Sequence, residues 1–343
     1  MMLHYTGSIP SQIIYQNNYP SNYFQLPFAN EIELAGTFGE LRPNHFHSGW
    51  DIKTNNQQGY PVHAVQVGFI SRIKLSNKGY GLAIYITHPN GFTSVYAHLK
   101  KLNKIGDKIL QQQLMNGDTD QIDIHLPIHK YKIKKDEIIA FSGNSGSSEA
   151  PHLHFEIRDA FTEEAINPIF FNLNVNDTYS PIISKIGIYE WAEKNQASAI
   201  KSYAVSIQEL LNKQMQKMIV VHQPIVSIAI NGFDKQFKDS KSKLGFTEIE
   251  LLTNKNKVCT IDFDRLIFAE SKNINFMLDS IQYKKHNVAW YRLFLPSNNI
   301  SRFYKNNNSG KVVLTKNEMT LLKVIVKDIV KHETEFNIKI IYQ

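Results

Sequence analysis

The residues best suited to chemistry in this chain sit on a short apolar strand. In APHLHFEI, residues 150–157, the two-residue period of a strand puts His152, His154 and Glu156 on one face and Leu153, Phe155 and Ile157 on the other. One histidine can hold a metal while its neighbour works on a bound water. About a hundred residues upstream, HFHSGWD adds His47 and Asp51, with Gly49 between them to relax the backbone. Two histidines and a carboxylate make the ligand set of a catalytic zinc, which keeps a fourth position open for water. VYAHL adds His98, with Tyr96 on the same face of a strand-like run.

The elements that must position these side chains read as strands. From about Glu31 to Phe171, β-branched and aromatic runs such as YPVHAVQVGFISRIKLS and GLAIYITHPNGFTSVYAHL are separated by glycine turns, and Asn90-Gly91 marks a hairpin. SGNSGSS, ahead of His152, gives the chain freedom to turn sharply into the H-x-H strand. Gly79 and Gly81 in KGYGLAI mark a turn or bulge. The stretch 107–135 breaks the rhythm and reads as an inserted flap or lobe. Residues 1–28, polar and rich in Tyr and Asn, read as an irregular leader. Asn167-Pro168 closes this part. A second series of regularly spaced strands then predicts a β-sandwich-like domain, an Ig-like arrangement being one form, with one helix around Phe263 to Ser271. The expected organisation is a leader at 1–28, a metal-binding domain at 29–171 and a β-rich accessory domain at 172–343.

Composition narrows the partners. A chain of 343 residues can bury more than one core. Its formal charge of +7 and pI near 9.1 favour an anionic partner. Lys and Arg are scattered rather than gathered in one arm, which points to an acidic polymer or envelope surface and away from nucleic acid. The single cysteine, Cys259, excludes an internal disulfide and a cysteine-rich metal site, and in KVCTIDF it reads as a small core residue. No apolar run approaches the roughly 18 to 20 residues of a membrane helix. The start also lacks the basic and apolar regions of a secretory signal.

Three ordered motifs, HSGWD, YAHL and the PHLHFEI that follows a glycine-serine loop, resemble the LytM and lysostaphin type of zinc endopeptidase, especially its two-domain form with a β-rich C-terminal half. The resemblance is dense over about residues 35–171 and thin thereafter. It implies a mainly β fold: an antiparallel LytM-type domain of the duplicated hybrid motif kind, then a sandwich-like domain. It implies one Zn2+ ion held by His47, Asp51 and His154, with His98 and His152 as catalytic histidines. It also implies hydrolysis of peptide bonds in peptidoglycan stem peptides or cross-links, the D,D bond by preference. The expected location is the cell envelope, periplasm or exterior, with an export leader missing from this sequence. A catalytically silent or gated wall-binding or amidase-activating protein is the alternative. Such proteins usually lose zinc ligands, and here all five positions are intact.

In that setting zinc lowers the pKa of a bound water from 15.7 toward about 7. Proton handling falls to His98 and His152, whose unperturbed pKa near 6.5 suits either base or oxyanion partner. The sequence does not divide those two roles.

Other residues have competing readings. His45 shares strand parity with His47, but spacing to Asp51 and the resemblance favour His47. His88, beside Pro89, reads as a turn residue and His63 as a strand residue. His125 and His129 have metal-like spacing, yet Pro127 breaks any helix between them. Glu156 either orients a histidine or is solvated. Tyr96 either packs in the sheet or meets substrate, and Arg42 lies at the rim. Asp136 stands where the family commonly has glycine, as a type I turn tolerates. Residues beyond about 172 are expected to be dispensable for catalysis on a soluble muropeptide.

Overall fold

A computed structural model describes residues 19–343 except 116, 118–120, 195–198, 200, 209–217, 255, 280–282, 284–289, 296–300 and 306–308. Most of the expected leader, residues 1–18, lies outside the described residues. The chain divides into two compact units, one formed by the chain up to Ala35 with Gly49–Asn176, the other by Gly36–Ser48 with Asp177–Gln343. Both are mainly β. The short segment Gly36–Ser48, expected in the N-terminal domain, groups with the C-terminal unit.

In the first unit the main sheet runs in the order Leu34–Gly36, Trp50–Lys53, His152–Asp159, Phe92–Ala97, Ala83–Thr87, Gly68–Ser76, Gln121–His125. The pairings on both sides of His152–Asp159 are antiparallel. Leu153, Phe155 and Ile157 are fully buried on its apolar face, each contributing about 1.5–3 kcal/mol of burial. A smaller sheet joins Pro61–His63, Ile138–Ser142 and Leu99–Leu102. The hairpin at Asn90-Gly91 forms with Gly91 at φ 85°. Of the expected leader, residues 19–28 follow an irregular path but are tied down by aromatic packing: Tyr19 stacks on Phe170 at 5.2 Å and Phe24 is buried against Phe171.

The stretch 107–135 is not a free-standing flap. It opens with a helix, Lys104–Met115, whose Ile109 and Leu110 are buried. The Asn103 side chain caps this helix by accepting from the Gly106 amide. Gln121–His125 and Lys132–Ile133 then pair antiparallel with Gly68–Ser76, so this part of the chain extends the main sheet. Asp136 sits at φ 67°, the left-handed conformation that glycine adopts without strain, rather than in a type I turn.

The second unit holds two five-stranded sheets. One has the order Lys201–Ser206, Ile182–Trp191, Ile225–Phe233, Tyr291–Arg292, with Val312–Val313 also on Ile225–Phe233. The other runs Ile219–Val221, Glu333–Tyr342, Met319–Lys327, Glu248–Thr253, Lys257–Asp262. Ile219–Val221 pairs parallel with Glu333–Tyr342. Period-two burial marks the long strands, with Leu322, Val324 and Val326 inside and their neighbours partly exposed. Cys259 is buried as a free thiol, pushed up to about 12 by burial. The expected helix near 263–271 is a 3-10 turn, Phe268–Asn273, followed by a short helix, Ile274–Met277.

Segment Gly36–Ser48 is locked within this second unit. Phe46 packs edge-on against Phe303 at 4.9 Å, and the Gly245 amide donates to Thr37 Oγ1 at 3.0 Å and to Glu40 Oε1 at 3.2 Å. Gly39 is glycine for a physical reason: a Cβ there would lie 2.6 Å from the Phe263 ring, at φ 82°.

Candidate metal centre and catalytic histidines

Strand register assembles the site. His154 lies opposite Asp51 on one side and Ala97 on the other, so His98 follows directly from the neighbouring strand. His98 is not the next residue of that strand, because its φ of 57° turns the chain out of the β conformation. Tyr96 therefore does not share its face. The Tyr96 ring is fully buried, and its oxygen accepts from the Val65 amide at 3.0 Å.

His47, Asp51 and His154 bring ligand atoms within 4.8 Å of one another, and all three are buried. His154 Nε2 meets Glu156 Oε1 at 2.8 Å, and its Nδ1 meets Asp51 Oδ1 at 2.9 Å. His47 donates from Nδ1 to the Thr37 carbonyl at 2.7 Å, which puts its lone pair on Nε2. The set of two imidazoles and one carboxylate fits zinc.

Glu156 forms a carboxylate–histidine pair with His154, the arrangement that orients a histidine ligand where a metal is bound. It is fully buried and accepts from Tyr80 Oη at 2.6 Å and Arg158 Nε at 2.6 Å, while Arg158 Nη2 also donates to the Tyr80 oxygen. Burial alone would raise its pKa, but Arg158 and the bond to His154 hold it far below the usual carboxylate range. Burial likewise pulls His154 down, yet the hydrogen bonds to Asp51 and Glu156 prevail and raise it to about 9 in the metal-free site. A metal ligand of this kind exchanges that Nδ1 proton for the ion.

His98 and His152 stand beside this group, their ring centroids 4.7 Å apart and His98 5.8 Å from His154. Each donates from Nδ1 to a backbone carbonyl, His98 to Ser145 in the glycine-serine loop at 2.8 Å and His152 to Ala150 just beyond it at 2.8 Å. Nε2 is then the basic nitrogen of both. His152 Nε2 lies 3.3 Å from Asp51 Oδ1. Burial first, then the charges of His154 and His152, pull His98 down to about 4, so it is neutral at physiological pH.

Gly49 does not relax the backbone between His47 and Asp51, since its φ is not left-handed. It permits close approach: a Cβ would lie 2.2 Å from the Phe155 carbonyl oxygen. His45 is exposed and bonded to the Pro43 carbonyl, and His63 is tied to Asp136. His88 opens the Asn90-Gly91 turn, its carbonyl accepting from the Gly91 amide at 3.2 Å, and its side chain is buried. His125 ends a strand and His129 packs on Phe69; neither joins a metal-holding group. Arg42 pairs with Glu40 at 3.1 Å. Sequence reasoning missed Tyr80, Arg158, Ser145 and Thr37. Strand parity signals Arg158, which continues the face of His154 and Glu156, whereas Thr37 and Ser145 act through main-chain carbonyls that carry no residue signature.

Residues 45–121 match the family model for Peptidase family M23. The matched stretch includes His47, Asp51 and His98. An uncharacterized metalloprotease of Haemophilus influenzae is 31% identical over 136 residues, 39% of this chain and 22% of that protein. The DD-carboxypeptidase/endopeptidase Mpg of Neisseria meningitidis is 32% identical over 123 residues, 36% of this chain and 22% of that protein. The chain thus spans about a fifth of the length of these curated relatives. Among solved structures, the catalytic domain of lysostaphin from Staphylococcus simulans is 26% identical, with 40% of this chain and 90% of that one covered and a TM-score of 0.30. No helix among the described residues is long and apolar enough to cross a membrane.

Proposed function

We propose that this chain is a zinc-dependent endopeptidase that hydrolyses peptide bonds of peptidoglycan stem peptides or cross-links, the D,D cross-link foremost. The observation that carries the reading is the group His47, Asp51 and His154 with the His98 and His152 rings beside it. The match of residues 45–121 to the M23 family model and the name of the Neisseria relative, a DD-carboxypeptidase/endopeptidase, support it. When held by these three ligands, zinc supplies the Lewis acidity that makes water a nucleophile near neutral pH.

The chain's own residues do the rest. Glu156 fixes the His154 tautomer and orientation by accepting a hydrogen bond from Nε2–H, and the Thr37 carbonyl does the same for Nδ1–H of His47. His98 and His152, anchored through Nδ1, each offer Nε2 to the reacting centre. One accepts the proton of the attacking water, and the other, once protonated, donates to the oxyanion that forms on the scissile carbonyl. The residues from 172 onward form an accessory domain, and the protein works in the cell envelope or outside the cell.

Mass spectrometry of fragments released from purified peptidoglycan tests this reading. Zinc-loaded protein should deplete cross-linked dimers and a chelator should stop it. No release by protein that holds zinc would replace the enzyme with a silent wall-binding protein.

A further inference from the structure

The second unit buries acidic side chains for which neither its core nor the proposed peptidase chemistry has a use. Asp177 precedes the strand Ile182–Trp191, Asp234 follows Ile225–Phe233, and Asp328 and His332 bracket the turn between Met319–Lys327 and Glu333–Tyr342. Asp234 and Asp328 are fully buried and Asp177 is 8% exposed. Asp177, Asp328 and His332 each bring a ligand atom within 4.8 Å of the others. The turn presets two of them: Asp328 Oδ1 accepts from the Val330 and His332 amides at 2.9 Å, and Asp328 Oδ2 lies 3.0 Å from His332 Nδ1. The Thr178 amide donates to the Gln236 carbonyl at 3.0 Å, which brings the segment carrying Asp177 to the one carrying Asp234.

Two carboxylates here have no partner for oxygens that are out of reach of water. Both oxygens of Asp234 and Oδ2 of Asp177 are buried without a hydrogen bond. Buried carboxylates are ordinarily paired, hydrogen-bonded or bound to a metal.

We propose that Asp177, Asp328 and His332, with Asp234 beside them, bind a divalent metal ion that fastens the ends of these strands. The carboxylate oxygens suit Mn2+ or Ca2+, and the one imidazole favours Zn2+ as the softer competitor. The site shares no residue with the proposed catalytic zinc centre. Its role is structural, since all its protein ligands are buried or held in a turn.

The full chain, stripped with chelator and reloaded separately with Mn2+, Ca2+ or Zn2+, is analysed for metal content and by titration. One of these ions is expected to bind at one equivalent in a form that Asp177→Asn/Asp328→Asn abolishes and that a His154→Ala background leaves untouched. His332→Ala, at a partly exposed turn residue, is expected to weaken that binding at least about tenfold with an unchanged circular dichroism spectrum. The ion should also raise the unfolding temperature of the wild type and not that of the double variant. Failure of all three ions to bind beyond what His154→Ala removes would overturn the site, as would binding unaltered in His332→Ala and the double variant. Loss of peptidase activity alone bears on the other centre and leaves this one standing.

Discussion

His98 donates from Nδ1 to the carbonyl oxygen of Ser145 at 2.8 Å, and this one bond orients an imidazole whose own backbone is left-handed. Ser145 is itself pinned, its Oγ accepting from the Leu82 amide and donating to the Leu99 carbonyl, both at 2.9 Å. Gly81, at φ 64°, lies directly beneath. The KGYG turn and the glycine-serine loop thus hold His98 as one assembly.

Gly81→Ala should break that assembly without touching a metal ligand. The new Cβ would meet Ser145 Oγ at 2.3 Å and the Gly146 amide at 2.5 Å. Displacing Ser145 takes His98 off its anchor, and kcat/KM on a muropeptide should fall about a hundredfold. Zinc content, measured in parallel, should stay at the wild-type level. A variant with full activity would show that the Ser145 bond does not position His98.

Glu156→Gln keeps the shape of the side chain and removes the charge that faces both His154 and Arg158. Arg158, with its side chain 6% exposed, would lose this short pair and keep the longer one to Glu163 at 3.6 Å. Breaking a buried pair in this way costs about 3 kcal/mol, read as the unfolding free energy in urea. Zinc affinity should also fall about ten- to a hundredfold in a chelator competition, through the weakened hold on His154.

His88 predicts a pH dependence of stability away from the site. Its Nδ1 meets the Val67 carbonyl at 2.9 Å and its Nε2 the Ser94 hydroxyl at 2.8 Å, and burial lowers its pKa from 6.5 to about 4. Between those values the unfolded chain takes up a proton that the folded chain refuses. Stability is therefore complete above the unfolded value and is lost as the pH falls toward 4, by about 3 kcal/mol in all. Urea unfolding at a series of pH values should show this slope in the wild type and a shallower one in His88→Gln.

Phe46→Ala in the full chain tests how His47 is supported. The loss of the Phe46 contact with Phe303 removes about 3 kcal/mol of packing from the hairpin that carries His47. Zinc affinity should drop several-fold although no ligand has changed. Unaltered affinity would mean that His47 is set by its neighbours in sequence alone.

The histidines and Asp51 were legible because a metal centre demands particular residue types, and strand parity states which of them face together. The core face of Leu153, Phe155 and Ile157 followed from the same parity. The left-handed turn at His98 was not legible, because it depends on Ser145 and Gly81 from other loops. The helix Lys104–Met115 was hidden by Gly106 in its first turn and by a weak apolar stripe; Asn103, its cap, was the overlooked signal. Asp177, Asp234 and Asp328 are single acids at strand ends, and only the pairing of distant strands collects them. The membership of Gly36–Ser48 in the C-terminal unit likewise rests on contacts that no local pattern encodes.

Those contacts also set an order in time. Thr37, whose carbonyl holds His47, bonds to Gly245, 208 residues further along the chain. At about 5–20 residues per second, a ribosome releases Thr37 roughly 10–40 s before that partner exists. Phe303, against which Phe46 packs, emerges later still. Of the five side chains at the proposed site, His47 is the last to be secured, so a half-made chain holds Asp51, His98, His152 and His154 before the residue proposed to complete their group is fixed.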